Sequence, residues 1–111
     1  AKEGADHFWK QRVTAVSNLV LSVVVVALLV SLAGADHGTV VAALKRPEFA
    51  LPLILLVVSG VIHMRLGMQT IIEDYVHGEA AKITLLMLNT FFAITVGAAS
   101  TLAVMKIYFG A

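Results

Sequence analysis

The chain has 111 residues, 59% of them hydrophobic and 14% charged, with a formal net charge of +1. A soluble domain carries about 25% charged and about 45–50% apolar residues, so this chain is too apolar for a water-soluble globule and far too apolar for a disordered one. Without a single cysteine it cannot be a disulfide-stapled secreted scaffold or ligate zinc or iron–sulfur clusters through thiolates. A net charge this small gives no basic field for nucleic acid. The composition is that of a small integral membrane protein.

The first apolar stretch runs from Val13 to Ala33 without an ionisable residue. Lys10 and Arg12 precede it and Ala33-Gly34-Ala35 closes it, an arrangement that imitates a signal peptide. Its apolar region is longer than the usual 7–15 residues of such a peptide, so it is read as a retained span. Gly34, Asp36, Gly38 and Pro47 then mark a loop from Gly34 to Glu48, in which Val40 to Leu44 can form a short interfacial turn. The second stretch runs from Phe49 to Ile72, with Pro52 expected in its first turn, where a missing N–H does little harm. A short polar connection, Glu73 to Lys82, makes the second and third spans antiparallel neighbours. The third stretch runs from Ile83 to Phe109, broken only by Lys106.

A bilayer core about 30 Å thick needs about 20 helical residues at 1.5 Å each. All three stretches are long enough and none alternates like a barrel strand. The sequence therefore predicts one all-α membrane domain over 1–111, with transmembrane helices at about 13–33, 49–72 and 83–109. Lys2, Lys10, Arg12 and Lys82 fall on one side of the bilayer, against Lys45, Arg46 and Lys106 on the other. That difference leans towards a cytoplasmic N-terminus.

Ionisable side chains at membrane depth are expensive and point to function by default. The second span holds two, His63 and Arg65. Ser59, Gly60 and Gly67 share the His63 face, which puts the imidazole in a groove walled by small residues. Such a groove admits either a neighbouring helix or a flat cofactor. His63 is thus a histidine bonded to a carbonyl on a neighbouring helix, or an axial ligand of haem iron. His7, His37 and His77 are expected outside the spans, so a second axial ligand would have to come from another chain. Arg65 lies about 200° round the helix from His63 and is given no role; it can snorkel towards Asp74 or pair with an acid on a partner.

Asp74 follows His63 by eleven residues, about three full turns, and shares its face at a separation of roughly 16 Å. Glu73-Asp74-Tyr75 is either an acidic loop start with an interfacial tyrosine, or the edge of a site for a hydrophobic redox molecule. In the second case the Tyr75 hydroxyl can donate to a quinone carbonyl and Asp74 can bring in protons. At the N-terminus Trp9 and Lys10 read as an interfacial anchor, while Arg12 can reach an anionic group such as a haem propionate. Asn89, Ala93, Gly97 and Thr101 form a packing seam on the third span. Thr14, Asn18 and Ser22 form a similar stripe on the first.

The run His63-Met64-Arg65-Leu66-Gly67-Met68-Gln69-Thr70-Ile71-Ile72-Glu73-Asp74-Tyr75-Val76-His77-Gly78 resembles the middle helix of the D-type hydrophobic membrane anchor of succinate dehydrogenase, respiratory complex II. The pattern H-x3-G-x6-D-Y carries the likeness. His7-Phe8-Trp9-Lys10-Gln11-Arg12-Val13-Thr14-Ala15 also resembles that subunit's N-terminal stretch, with Phe8 where a second tryptophan is common. The resemblance implies half of a two-chain haem-binding helix bundle in the inner (cytoplasmic) membrane, N-terminus on the cytoplasmic side. It implies a non-catalytic subunit of a respiratory, tricarboxylic acid cycle enzyme that passes electrons from succinate to ubiquinone. Its partners would be a second, C-type anchor subunit, an iron–sulfur subunit and a flavoprotein subunit, with FAD and the iron–sulfur clusters in the latter two. By motif His63 would be an axial ligand of haem b, Arg12 a neighbour of the propionates, Tyr75 a quinone hydrogen-bond donor and Asp74 part of the proton path. The competing readings are a fumarate reductase anchor, a cofactor-free structural subunit of another membrane complex, and a small proton channel using His63 and Asp74.

Overall fold

The computed structural model describes residues 2–110; Ala1, Ala111 and the side chain of Lys2, which enters the charge count above, lie outside the described residues. Helix α1 spans Lys2–Ser31, α2 His37–Leu44, α3 Pro47–Tyr75 and α4 Glu79–Tyr108. Among the described residues there is no strand. Helices α1, α3 and α4 are long and apolar enough to cross a bilayer, so the chain is an all-α, multi-pass membrane protein.

The long helices outrun their apolar stretches, because intrahelical hydrogen bonding does not stop at the hydrocarbon boundary. Helix α1 begins well ahead of Val13, and an Asp6–Lys10 ion pair of 3.1 Å at i, i+4 supports the added turns. His7 therefore lies inside α1, in the turns ahead of the apolar stretch that opens at Val13. Gly34, at φ +80°, takes the left-handed conformation that lets the chain leave α1. The expected interfacial turn is a true helix, α2, because Asp36 caps it and accepts from the Thr39 N–H at 2.8 Å. That bond holds the Asp36 carboxyl below the usual carboxylate range.

Helix α3 starts on Pro47 in its first turn, where proline's fixed φ suits helix entry. Pro52 consequently sits inside the helix and not in its first turn, and it withholds a hydrogen bond from the Glu48 carbonyl. Val76 ends α3 by bonding its N–H to the Ile72 carbonyl at 3.0 Å. Only residues 76–78 separate α3 from α4, which enforces the expected antiparallel hairpin.

Helix α3 packs against α1 on one side and α4 on the other, while α1 and α4 make no contact among the described residues. The three spans form a single layer and α2 lies across one end of α3 and α4. On α1 the side facing α3 follows a 3-4 spacing through His7, Gln11, Thr14, Asn18, Leu21 and Val25. Thr14 and Asn18 belong to it as expected; Ser22 is exposed and does not. On α4 the expected seam is present. Asn89 donates to the Arg65 carbonyl at 3.0 Å, Ala93 is 2% exposed, and a Cβ at Gly97 would stand 3.4 Å from Val61 Cγ1.

A water-soluble monomer of 11.8 kDa exposes roughly 5900 Å², whereas this chain exposes 7558 Å². Among the described residues the buried hydrophobics number six: Val25, Ala43, Ala50, Leu66, Ile72 and Ala93. An open layer with so small a core is stable where lipid and other proteins cover its two faces.

Gly97→Leu should overpack the Val61 contact and destabilise the α3–α4 pairing by about 1–3 kcal/mol, while Gly97→Ala should be nearly neutral. Thermal unfolding of the detergent-solubilised protein separates the two. The layer also places Ala5 and His77 at one end and Thr39 at the other. Since the chain has no cysteine, single cysteines at these positions should react with an impermeant maleimide from one side for the first two and from the opposite side for the third.

Candidate functional site

The small residues flanking His63 on α3 serve α1 first. The Ser59 hydroxyl meets the Ser17 hydroxyl of α1 in a short hydrogen bond and also lies 3.4 Å from the Thr14 carbonyl. A Cβ on Gly67 would come within 3.4 Å of Gln11 Nε2, so glycine there lets the Gln11 side chain lie against the α3 backbone. Of the two readings of the groove, helix approach accounts for Ser59 and Gly67. Gly60 is different: a Cβ added there would meet nothing within 4 Å. One flank of His63 is therefore walled by α1 and the other is open at Gly60.

His63 is half-buried, and its Nδ1 lies 3.0 Å from Thr14 Oγ1. The histidine is thus tied to a hydroxyl on α1 and not to a carbonyl, the alternative the sequence leaves open. One arrangement satisfies every group at this contact. Thr14 Oγ1 is also 2.7 Å from the Lys10 carbonyl and 3.2 Å from that of Gln11. With the hydroxyl proton given to the Lys10 carbonyl, the hydroxyl oxygen accepts from Nδ1–H. Nε2 is then the ring nitrogen directed away from Thr14. Thr14 is 8% exposed and is the buried polar side chain at this contact.

Arg12 stands two residues before Thr14, about 3 Å along the helix, and is exposed. Its guanidinium lies over the Phe8 ring at 4.8 Å from the centroid, a cation–π arrangement that holds it without neutralising it. With Gln11, Gly67 and Thr70 it lines a recess of about 550 Å³, one turn of α3 from His63. Asp74 and Tyr75 occupy the far end of α3. Both are exposed, Tyr75 at 76%, and neither forms an ion pair or hydrogen bond through its side chain among the described residues. Tyr75 stands at the mouth of an apolar groove of about 450 Å³ that runs between α3 and α4 past Met68, Ile72, Leu88 and Phe92. Glu73 and Asp74 put two acids, and no cation, into the last turn of α3, where the helix dipole disfavours negative charge. Local helix stability does not account for that arrangement.

Arg65 does not reach Asp74. Its Nε donates to the Thr90 hydroxyl on α4 at 3.4 Å, and the rest of its guanidinium is exposed beside an apolar groove lined by Val61, Ala93 and Gly97. The structure thus joins His63 to Thr14, sets Arg12 one turn away, and leaves Asp74 and Tyr75 together at the end of the helix. Hydropathy reading misses His7, whose Nε2 lies 3.3 Å from the Leu66 carbonyl. It also misses Gln11, whose side-chain oxygen is buried without a partner among the described residues, as is that of Asn18, which the sequence already placed on the α1 stripe. All three sit on the 3-4 seam with Thr14, and that spacing is the signal that marks them.

The fold and site define a membrane-embedded helical protein in which His63, within an apolar span, is half-buried and tied to α1 through Thr14. The family model "Succinate dehydrogenase/Fumarate reductase transmembrane subunit" matches residues 1–99, and the chain belongs to that family. It is 32% identical over 94 residues to the succinate dehydrogenase hydrophobic membrane anchor subunit of Rickettsia bellii, covering 85% of this chain and 75% of that one. It is 30% identical over 111 residues to the subunit of that name in Paracoccus denitrificans, covering 100% of this chain and 85% of that one. The succinate dehydrogenase membrane anchor subunit of Reclinomonas americana is 34% identical over 101 residues, with 86% and 82% covered. No solved structure matches the chain significantly.

Proposed function

We propose that this chain is a membrane anchor subunit of succinate:quinone oxidoreductase, complex II, in the inner (cytoplasmic) membrane, and that it helps hold haem b and the ubiquinone site. Its partners are a second, C-type anchor, an iron–sulfur subunit and a flavoprotein subunit, with FAD and the iron–sulfur clusters in the last two. Names shared by relatives matching most of the chain support the anchor role. The observation that carries the haem assignment is the Thr14–His63 contact: the Thr14 hydroxyl lies 3.0 Å from Nδ1, which engages that nitrogen on α1 and leaves Nε2 to bind iron. The open flank at Gly60 gives a flat macrocycle room beside that nitrogen.

Haem b, when bound, supplies a one-electron redox centre within the membrane. His63 would hold its iron. His7 is tied to the Leu66 carbonyl, His37 opens α2 and His77 lies in the α3–α4 connection, so any further protein ligand would come from the partner anchor. Arg12, close to the His63 level and held charged over Phe8, pairs with a propionate. At the end of α3 the Tyr75 hydroxyl donates to a ubiquinone carbonyl, and the apolar groove past Met68 and Phe92 receives the isoprenoid tail. Asp74 is solvated beside it and conveys protons from water as the quinone is reduced. The N-terminus and the α3–α4 connection face the cytoplasm.

His63→Ala should abolish the reduced-minus-oxidised b-type haem spectrum of the purified complex; an unchanged spectrum would remove His63 as ligand. Tyr75→Phe should lower succinate:ubiquinone turnover roughly tenfold, the worth of a hydrogen bond of about 1.4 kcal/mol. Succinate oxidation by a soluble dye should be spared. Equal loss in both assays would place the defect outside the quinone site.

A further inference from the structure

The α1–α3 contact at His63 carries more than helix packing. Thr14 Oγ1 donates to the Lys10 carbonyl at 2.7 Å and stands 3.0 Å from His63 Nδ1, in a position that is 8% exposed. The Thr14 backbone is itself held to α3. Its carbonyl is approached by the Ser17 hydroxyl at 3.2 Å and the Ser59 hydroxyl at 3.4 Å, and those two hydroxyls bond to each other. A hydroxyl that donates to a carbonyl becomes a better acceptor, because bonds in a chain polarise one another, and a dry setting strengthens the effect. No charged side chain forms a hydrogen bond or ion pair with Thr14 or His63 among the described residues.

We infer that Thr14 is a positioning residue for the haem site: it fixes His63 in the Nδ1–H tautomer, aims Nε2 away from α1, and lowers the redox potential of the iron that Nε2 binds. The inference rests on the proposed haem ligation and extends it to a residue that does not touch the cofactor. The physical link is ligand basicity. Accepting a hydrogen bond from Nδ1–H pushes electron density onto the ring, and a more basic imidazole favours ferric over ferrous iron. Valine has nearly the shape of threonine but cannot accept. In Thr14→Val the imidazole would be a weaker donor with no partner fixing its tautomer or rotation. Serine keeps the hydroxyl, its proton and its reach to the Lys10 carbonyl.

The test is a redox titration of haem b in the intact purified complex, carrying wild-type chain, Thr14→Val or Thr14→Ser, with haem content per flavin measured alongside. Thr14→Val should shift the midpoint to more positive potential and lower haem retention, and Thr14→Ser should restore wild-type values of both. A Thr14→Val midpoint equal to wild type, or a Thr14→Ser midpoint displaced as far as that of valine, would overturn the inference while leaving His63 as ligand. A wild-type complex without b-type haem would instead overturn the ligation on which it stands. Should Thr14→Val fail to assemble, Thr14→Cys, a weaker acceptor of similar size, reads the same positive shift.

Discussion

Lipid offers polar side chains no hydrogen-bond partner, and the polar groups of α3 that lie among its apolar residues meet theirs on the neighbouring helices. That constraint shapes the whole layer. Thr14, Ser17, Ser59 and His63 meet across α1 and α3; Arg65, Asn89 and Thr90 meet across α3 and α4. Apolar contact alone would not hold these helices in register, since lipid tails are as apolar as leucine side chains. Two small polar clusters on opposite sides of α3 therefore fix how α1 and α4 stand against it. The cluster on the α1 side also fixes the His63 side chain against Thr14.

The proposed site is divided along the same lines. Its haem part asks for a dry place that holds the His63 ring in one orientation, which the α1–α3 seam offers. Its quinone part asks for water, a phenol and a carboxylate, which the exposed end of α3 offers with Asp74 and Tyr75. A single straight helix connects the two over roughly 16 Å. Two acids without a compensating cation in its last turn oppose the helix dipole, a local rule broken where the proposed proton chemistry sits.

Much of the fold was legible in the sequence. Hydropathy located the three spans, and a ten-residue polar connection with an Asp–Tyr pair at its head was enough to make α3 and α4 antiparallel. Hydropathy cannot see where helices end in water, so it marked the first span from Val13 and gave no contact to His7, which α1 carries against the Leu66 carbonyl. The same blindness put Pro52 in a first turn that Pro47 occupies. Gly67 and Ser59 were read as small residues beside His63, correctly, but composition cannot tell which body they admit. Only the positions of Gln11 and Ser17 assign them to α1. Ser22 fails for a related reason: small and polar is not sufficient, and the 3-4 register chooses Asn18 and Leu21 in its place. The Thr14–His63 contact was beyond sequence altogether, because it follows from distances around one hydroxyl.

Helix α3 touches both other spans while they never touch each other, and this has a consequence for biogenesis. Left alone in a bilayer, α3 would hold an imidazole and a guanidinium with nothing to bond to. With only residues 76–78 between them, α3 and α4 can enter the membrane as a hairpin in which Thr90 already receives Arg65. The His63 imidazole finds Thr14 only when that hairpin meets α1, across the longer loop that holds α2. Lateral docking onto α1 is then the step that fixes the His63 ring, and under the proposed haem ligation a chain inserted but not yet docked has no oriented nitrogen to offer the iron.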